Sequence, residues 1–151
     1  MRRRAVSIGR ALVALGVGFC LPGTALAADS THYVCSAIVS YDDGGAGKIG
    51  LSIRFDDQRA PKGDGRQYTL SAIHQGKLFQ GVMIDRSDKF GEGKIELKNG
   101  RYQFYVGSFR LEQGKDDAYS MVLDGKLNVD PFESKTTAKI KATLPCVDLS
   151  T

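Results

Sequence analysis

The sequence contains no tryptophan, two histidines and four prolines, and no stretch of ten or more residues carries a helical apolar period. Without 3.6-residue apolar stripes, helical bundles and alternating α/β folds are excluded, because their helices must bury such a stripe. His32 and His74 stand far apart in the chain, so a zinc or copper site lacks donors. The acidic pairs Asp42-Asp43, Asp56-Asp57 and Asp116-Asp117 lack the Asp-x-Asp-x-Asp-Gly spacing that wraps calcium, and they read as solvated turn residues. There is no Gly-x-Ser-x-Gly element, and the Gly-rich stretch Asp42–Gly47 lacks the Lys-Ser/Thr ending of a phosphate loop. No catalytic residue, metal ligand or cofactor is therefore assigned.

The first 27 residues have a different character. Arg2, Arg3, Arg4 and Arg10 flank an apolar run from Ala11 to Leu21, which Pro22-Gly23 interrupts before the small-x-small sequence Ala25-Leu26-Ala27. This is the pattern of a cleaved secretory signal peptide, residues 1–27. The run is shorter than the ~20 residues a membrane-spanning helix needs. The bulky Phe19 before Cys20 argues against lipid attachment there. A periplasmic or secreted location is expected. The segment holds four of the 21 basic residues and none of the 17 acidic ones, so the remaining chain carries 17 of each and is neutral. A general nucleic-acid-binding role loses its electrostatic support, because phosphate contacts require clustered Lys and Arg.

Residues 28–151 form a 124-residue remainder, the length of a single β domain. Cys35 and Cys146 lie near its two ends, and neither sits in a Cys-x-x-Cys motif. In an oxidising compartment they are expected to form one disulfide linking the first strand to the last. Closing a loop of about 100 residues is worth up to roughly 4.7 kcal/mol in the chain-entropy model.

The remainder alternates. Ile49, Leu51, Ile53 and Phe55 face one way against Gly50, Ser52 and Arg54. Further strands are predicted over 32–41, 67–74, 78–84 and 136–144, with a polar loop at 56–66 and a stop at Pro145. Lys94–Val106 reads as two strands joined by Asn99-Gly100, with Tyr102, Phe104 and Val106 on one face and Tyr105 on the other. A bend is expected at Gly107-Ser108, and Asp124-Gly125 predicts another hairpin turn. Eight or nine short strands imply an all-β, antiparallel barrel, with a β-sandwich as the alternative.

The candidate binding surface is Arg101, Tyr105, Phe109 and Arg110, because exposed aromatics beside Arg are favoured at protein interfaces. Burial of both sheet faces at Tyr105 is the other reading. The loops 42–47 and 56–66 offer a second surface. The small residues Ala37, Ala72, Ala138 and Ala142 permit either tight packing or a narrow cavity for a small ligand. Barrel carriers commonly place tryptophan at the cavity, which this chain lacks. Tyr33-Val34-Cys35, the export signal and the stapled barrel together resemble the plan of bacterial periplasmic lysozyme inhibitors. The inhibitory Ser-Gly and Tyr loop of that family has no counterpart in Asp64–Tyr68, and membership is not assigned. The expectation is an exported, non-enzymatic barrel that binds a protein partner, as an inhibitor or immunity protein acting on a cell-wall hydrolase. A small-ligand carrier is the alternative reading and an envelope hydrolase the third.

Overall fold

The alternating runs become eight antiparallel strands that close into a barrel in sequence order. They are β1 (Thr31–Asp42), β2 (Ala46–Arg59), β3 (Arg66–His74), β4 (Lys77–Asp85), β5 (Glu92–Asn99), β6 (Tyr102–Gln113), β7 (Tyr119–Leu127) and β8 (Ala138–Asp148). The computed structural model describes residues 30–60, 65–87 and 89–150. The expected signal segment 1–27 and positions 61–64 of the polar loop lie outside the described residues.

Closure is completed by β1 pairing with β8, where Cys35 and Cys146 face each other in register and form the expected disulfide, S–S 2.04 Å. Leu149 N–H donates to the His32 carbonyl at 2.8 Å just beyond it. Pro145 does not end the strand. β8 pairs with β7 as far as Ser120↔Pro145 and with β1 from Cys35↔Cys146, so the residue without an N–H sits where one ladder hands over to the other.

Two turn expectations shift. Asn99 pairs with Tyr102, so the two-residue loop is Gly100-Arg101, one step later than predicted. Gly100 has φ +59° while Arg101 is not left-handed, the pattern of a type II′ turn. Asn99 is thereby free to donate its side-chain amide to the Leu78 carbonyl at 3.0 Å. Asp124-Gly125, expected to be a hairpin turn, lies inside the continuous strand β7, which leaves eight strands. Gly125 pairs with Gly107 of β6. A Cβ on Gly107 would lie 2.5 Å from the Gly125 Cα and 2.7 Å from the Tyr105 hydroxyl. Both glycines serve close approach of backbones, and β6 likewise runs straight through the expected bend at 107–108.

The register between β5 and β6 passes from Leu97↔Tyr105 to Lys98↔Gln103, so Phe104 is an extra residue, a β-bulge. The bulge turns Phe104 and Tyr105 both inward, at 1% and 2% exposure. The expected placement of Tyr105 opposite Phe104 is thus overturned, and Val106 leaves the Phe104 face.

Inside, one continuous core runs from Tyr33 through Phe55, Leu70, Phe79 and Leu97 to Leu144. Outside, β5 to β8 present Lys94, Lys98, Lys126, Lys139 and Lys141 to solvent. Among the described residues no helix is long and apolar enough to cross a membrane.

Candidate functional site

The four predicted surface residues separate. Phe109 is buried, packed at 6.1 Å from Phe55 and 6.0 Å from Tyr68 between ring centroids. Its strand position places it on the inward parity with Tyr105 once the bulge is counted. The Tyr105 hydroxyl donates to the Ser108 carbonyl at 2.7 Å and accepts from Asp124 N–H at 3.1 Å. Burial raises its pKa, an effect the Asp124 N–H partly opposes. Neither aromatic is available to a partner. Arg101 and Arg110 are exposed, but Arg101 lies in the turn before β6 and Arg110 nine residues further on, roughly 25–30 Å away along an extended strand. Arg110 is held by Glu112, Nε to Oε2 2.8 Å. The four do not form one patch.

The polar end of the barrel where β2 meets β3 is occupied by internal pairing. Asp56 and Asp57, expected in a solvated turn, lie in β2. Asp57 is fully buried and receives Arg66 through two bonds, Nε–Oδ1 2.8 Å and Nη2–Oδ2 2.5 Å. Asp56 accepts from His32 Nδ1 at 2.5 Å and from Arg54 Nε at 2.9 Å. Burial alone would raise the Asp56 carboxyl, but Arg54 and His32 outweigh it and hold it below its usual value. Nearby, Tyr33 is pushed up to about 12, by burial first and by Asp148 next. Burial also raises Tyr68, whose hydroxyl accepts from Gly91 N–H at 2.9 Å.

Two outer surfaces remain. The first is the outward face of β1 to β4. Ile38 stands 76% exposed and Ile73 69% exposed, with Leu78, Val82 and Ile84 also open to solvent. Between them the floor is small: Ile38 is paired with Gly50 and Ser36 with Ser52. The Ser36 hydroxyl donates to the Ser52 hydroxyl at 2.8 Å. Hollows of about 340 and 350 Å³ meet at Ser52, one bounded by Ile73 and Leu78 and the other by Ile38. The second surface is a groove of about 690 Å³ at the opposite end from Asp57, between the Gly100-Arg101 turn and the segment joining β7 to β8. There Tyr102 and Phe132 pack at 4.6 Å, and Asn128 fixes the segment by donating to the Ser134 carbonyl at 2.7 Å and accepting from Asp130 N–H at 2.9 Å.

Of the predicted residues only Arg101 lines either surface. The missed residues Ile38 and Ile73 did leave a signal. Each is a large aliphatic at the solvent parity of its strand, because Tyr33, Cys35 and Val39 in one case and Tyr68 and Leu70 in the other define the inward face. Phe132 left none, as its position depends on how a loop crosses the barrel end.

These features define the class: a closed, eight-stranded antiparallel barrel with an apolar core. No family model matches the chain, and no curated protein or solved structure matches it either.

Proposed function

We propose that this chain is an exported, non-enzymatic barrel that binds another protein, as an inhibitor or immunity protein acting on a cell-wall hydrolase. The observation that carries the reading is the outer face of β1 to β4. Ile38, Ile73, Leu78, Val82 and Ile84 are held in water on a rigid sheet. Several exposed large aliphatics on one sheet face are costly in a free monomer and mark an interaction site. The Ser36 hydroxyl already donates to that of Ser52, so covering the pair strands one donor fewer. Export rests on the sequence of residues 1–27, and the hydrolase class rests on the compact, stapled plan of an envelope protein.

The test measures digestion of purified peptidoglycan by a panel of muramidases, amidases and endopeptidases, with and without the protein. Inhibition of one class, abolished by Ile38→Asp and Ile73→Asp, is the expected result. Release of fragments by the protein alone would establish a hydrolase instead. A native mass carrying cargo lost on denaturation would establish a carrier.

A further inference from the structure

The groove at the β7–β8 end brings two cations, Arg101 and Lys135, to the walls of one hollow. Arg54, Arg66 and Arg110 each hold a carboxylate, those of Asp56, Asp57 and Glu112. Arg101 holds a phenol. Its Nη2 donates to the Tyr102 hydroxyl at 3.1 Å, and its guanidinium carbon lies 5.1 Å from the centre of that ring. Among the described residues no carboxylate lies within ion-pair reach of Arg101, and none lies within reach of Lys135 on the opposite wall. A guanidinium has five N–H donors in a planar fork, so a single bond to a phenol leaves most of them unused. The contact with Tyr102 still fixes the fork in place, which lowers the ordering cost of capturing an anion.

We propose that this groove is a docking site for an extended peptide segment bearing carboxylates, with Arg101 and Lys135 supplying the charge and Tyr102 and Phe132 the apolar wall. Charge complementarity selects the acidic partner. Among the described residues Glu133 is the single acid lining the groove. A peptide is favoured over an acidic sugar because Tyr102 already carries Arg101 over its ring and packs on Phe132, so it is not a bare stacking platform. A volume near 690 Å³ falls within the general range of ligand sites. The assignment shares with the preceding section the premise of a protein partner, but it uses a different surface.

The experiment titrates the full exported chain into a fluorescein-labelled hexapeptide of alternating Glu and Leu, read by polarisation. A Lys-Leu hexapeptide and a uronic-acid hexasaccharide run in parallel. Saturable binding of the acidic peptide alone is expected, weakening as salt rises. Arg101→Gln should weaken it by about tenfold and Lys135→Gln by a few-fold, as charge-assisted bonds to carboxylates are lost. Both positions are exposed, and an unchanged urea midpoint verifies that each variant folds. Absence of saturable binding, equal binding of the basic peptide, preference for the saccharide, or indifference to Arg101→Gln would each overturn the proposal. Ile73→Asp should leave peptide binding intact. Peptide binding without hydrolase inhibition therefore keeps the groove and removes the proposed function, and the reverse outcome does the opposite.

Discussion

Phe104 and Tyr105 are neighbours in the chain, yet both point into the barrel. The bulge opposite Leu97 and Lys98 makes this possible, and the Tyr105 hydroxyl then bonds the Ser108 carbonyl and the Asp124 N–H. Tyr105→Phe keeps the ring and removes both bonds, leaving the half-buried Asp124 N–H and Ser108 carbonyl without their hydroxyl partner. It should cost about 1–3 kcal/mol in a urea titration. A variant as stable as the parent would mean the hydroxyl is not needed to fix the bulge.

The space for that hydroxyl comes from Gly107 and Gly125. A Cβ on Gly107 would meet the Asp124 carbonyl oxygen and the Gly125 Cα, both at 2.5 Å. These are backbone atoms in a paired ladder and cannot swing aside. Gly107→Ala and Gly125→Ala are each expected to lose about 3 kcal/mol or more, at or above the usual cost of overpacking. Gly50→Ala is the control, because a Cβ there meets nothing within 4 Å. It should be neutral or slightly stabilising, by at most about 1 kcal/mol.

The same glycines show where reading the sequence stops. Period-2 alternation placed Leu51, Ile53 and Phe55 inside correctly, because a one-residue slip would expose them all. The staple between Cys35 and Cys146 was legible on other grounds, as the two cysteines left once residues 1–27 are set aside in an oxidising compartment. Asp124-Gly125 was misleading because Gly satisfies a turn and a close backbone approach equally well, and only the partner strand distinguishes them. Asp57 was misleading because its partner Arg66 lies across a loop. At the candidate surfaces, Ile38 and Ile73 were legible as aliphatics at solvent parity. The groove was not, since the path of residues 128–137 is set by tertiary contacts.

The disulfide spans 111 residues and sits at the β1–β8 seam. Cys35→Ala/Cys146→Ala, or reduction of the parent, should lower unfolding free energy by about 2–5 kcal/mol. Urea midpoints of the two forms, each checked by intact mass for the two-hydrogen difference, decide this. Equal midpoints would mean that strand pairing alone holds the seam.

Arg66→Met leaves the Asp57 carboxylate buried without its bidentate partner. A loss of about 3–5 kcal/mol is expected, as for other broken buried pairs. The double change Asp57→Leu/Arg66→Met should recover much of this, because it removes the stranded charge as well. The exposed Arg110–Glu112 pair is the comparison, and Arg110→Gln should cost no more than about 1 kcal/mol. A double variant less stable than Arg66→Met would show that the pair adds stability beyond avoiding its own desolvation.

Alkaline pH should weaken the barrel through its buried tyrosines. Burial raises Tyr33 to about 12 and raises Tyr68 and Tyr105 as well. Below about pH 10 each phenol is neutral in both the folded and unfolded chains, so their contribution is constant. Above it the unfolded chain releases protons that the folded chain keeps, and stability falls as pH rises toward and beyond 12. Each such tyrosine contributes at most ~1.4 kcal/mol per pH unit over that window. Urea midpoints from pH 8 to 11.5, followed with tyrosinate absorbance near 295 nm, should show a plateau and then a decline. Tyr105→Phe should make the decline shallower than in the parent. An equal slope in the two proteins would mean that the Tyr105 phenol ionises in the folded barrel as readily as in the open chain.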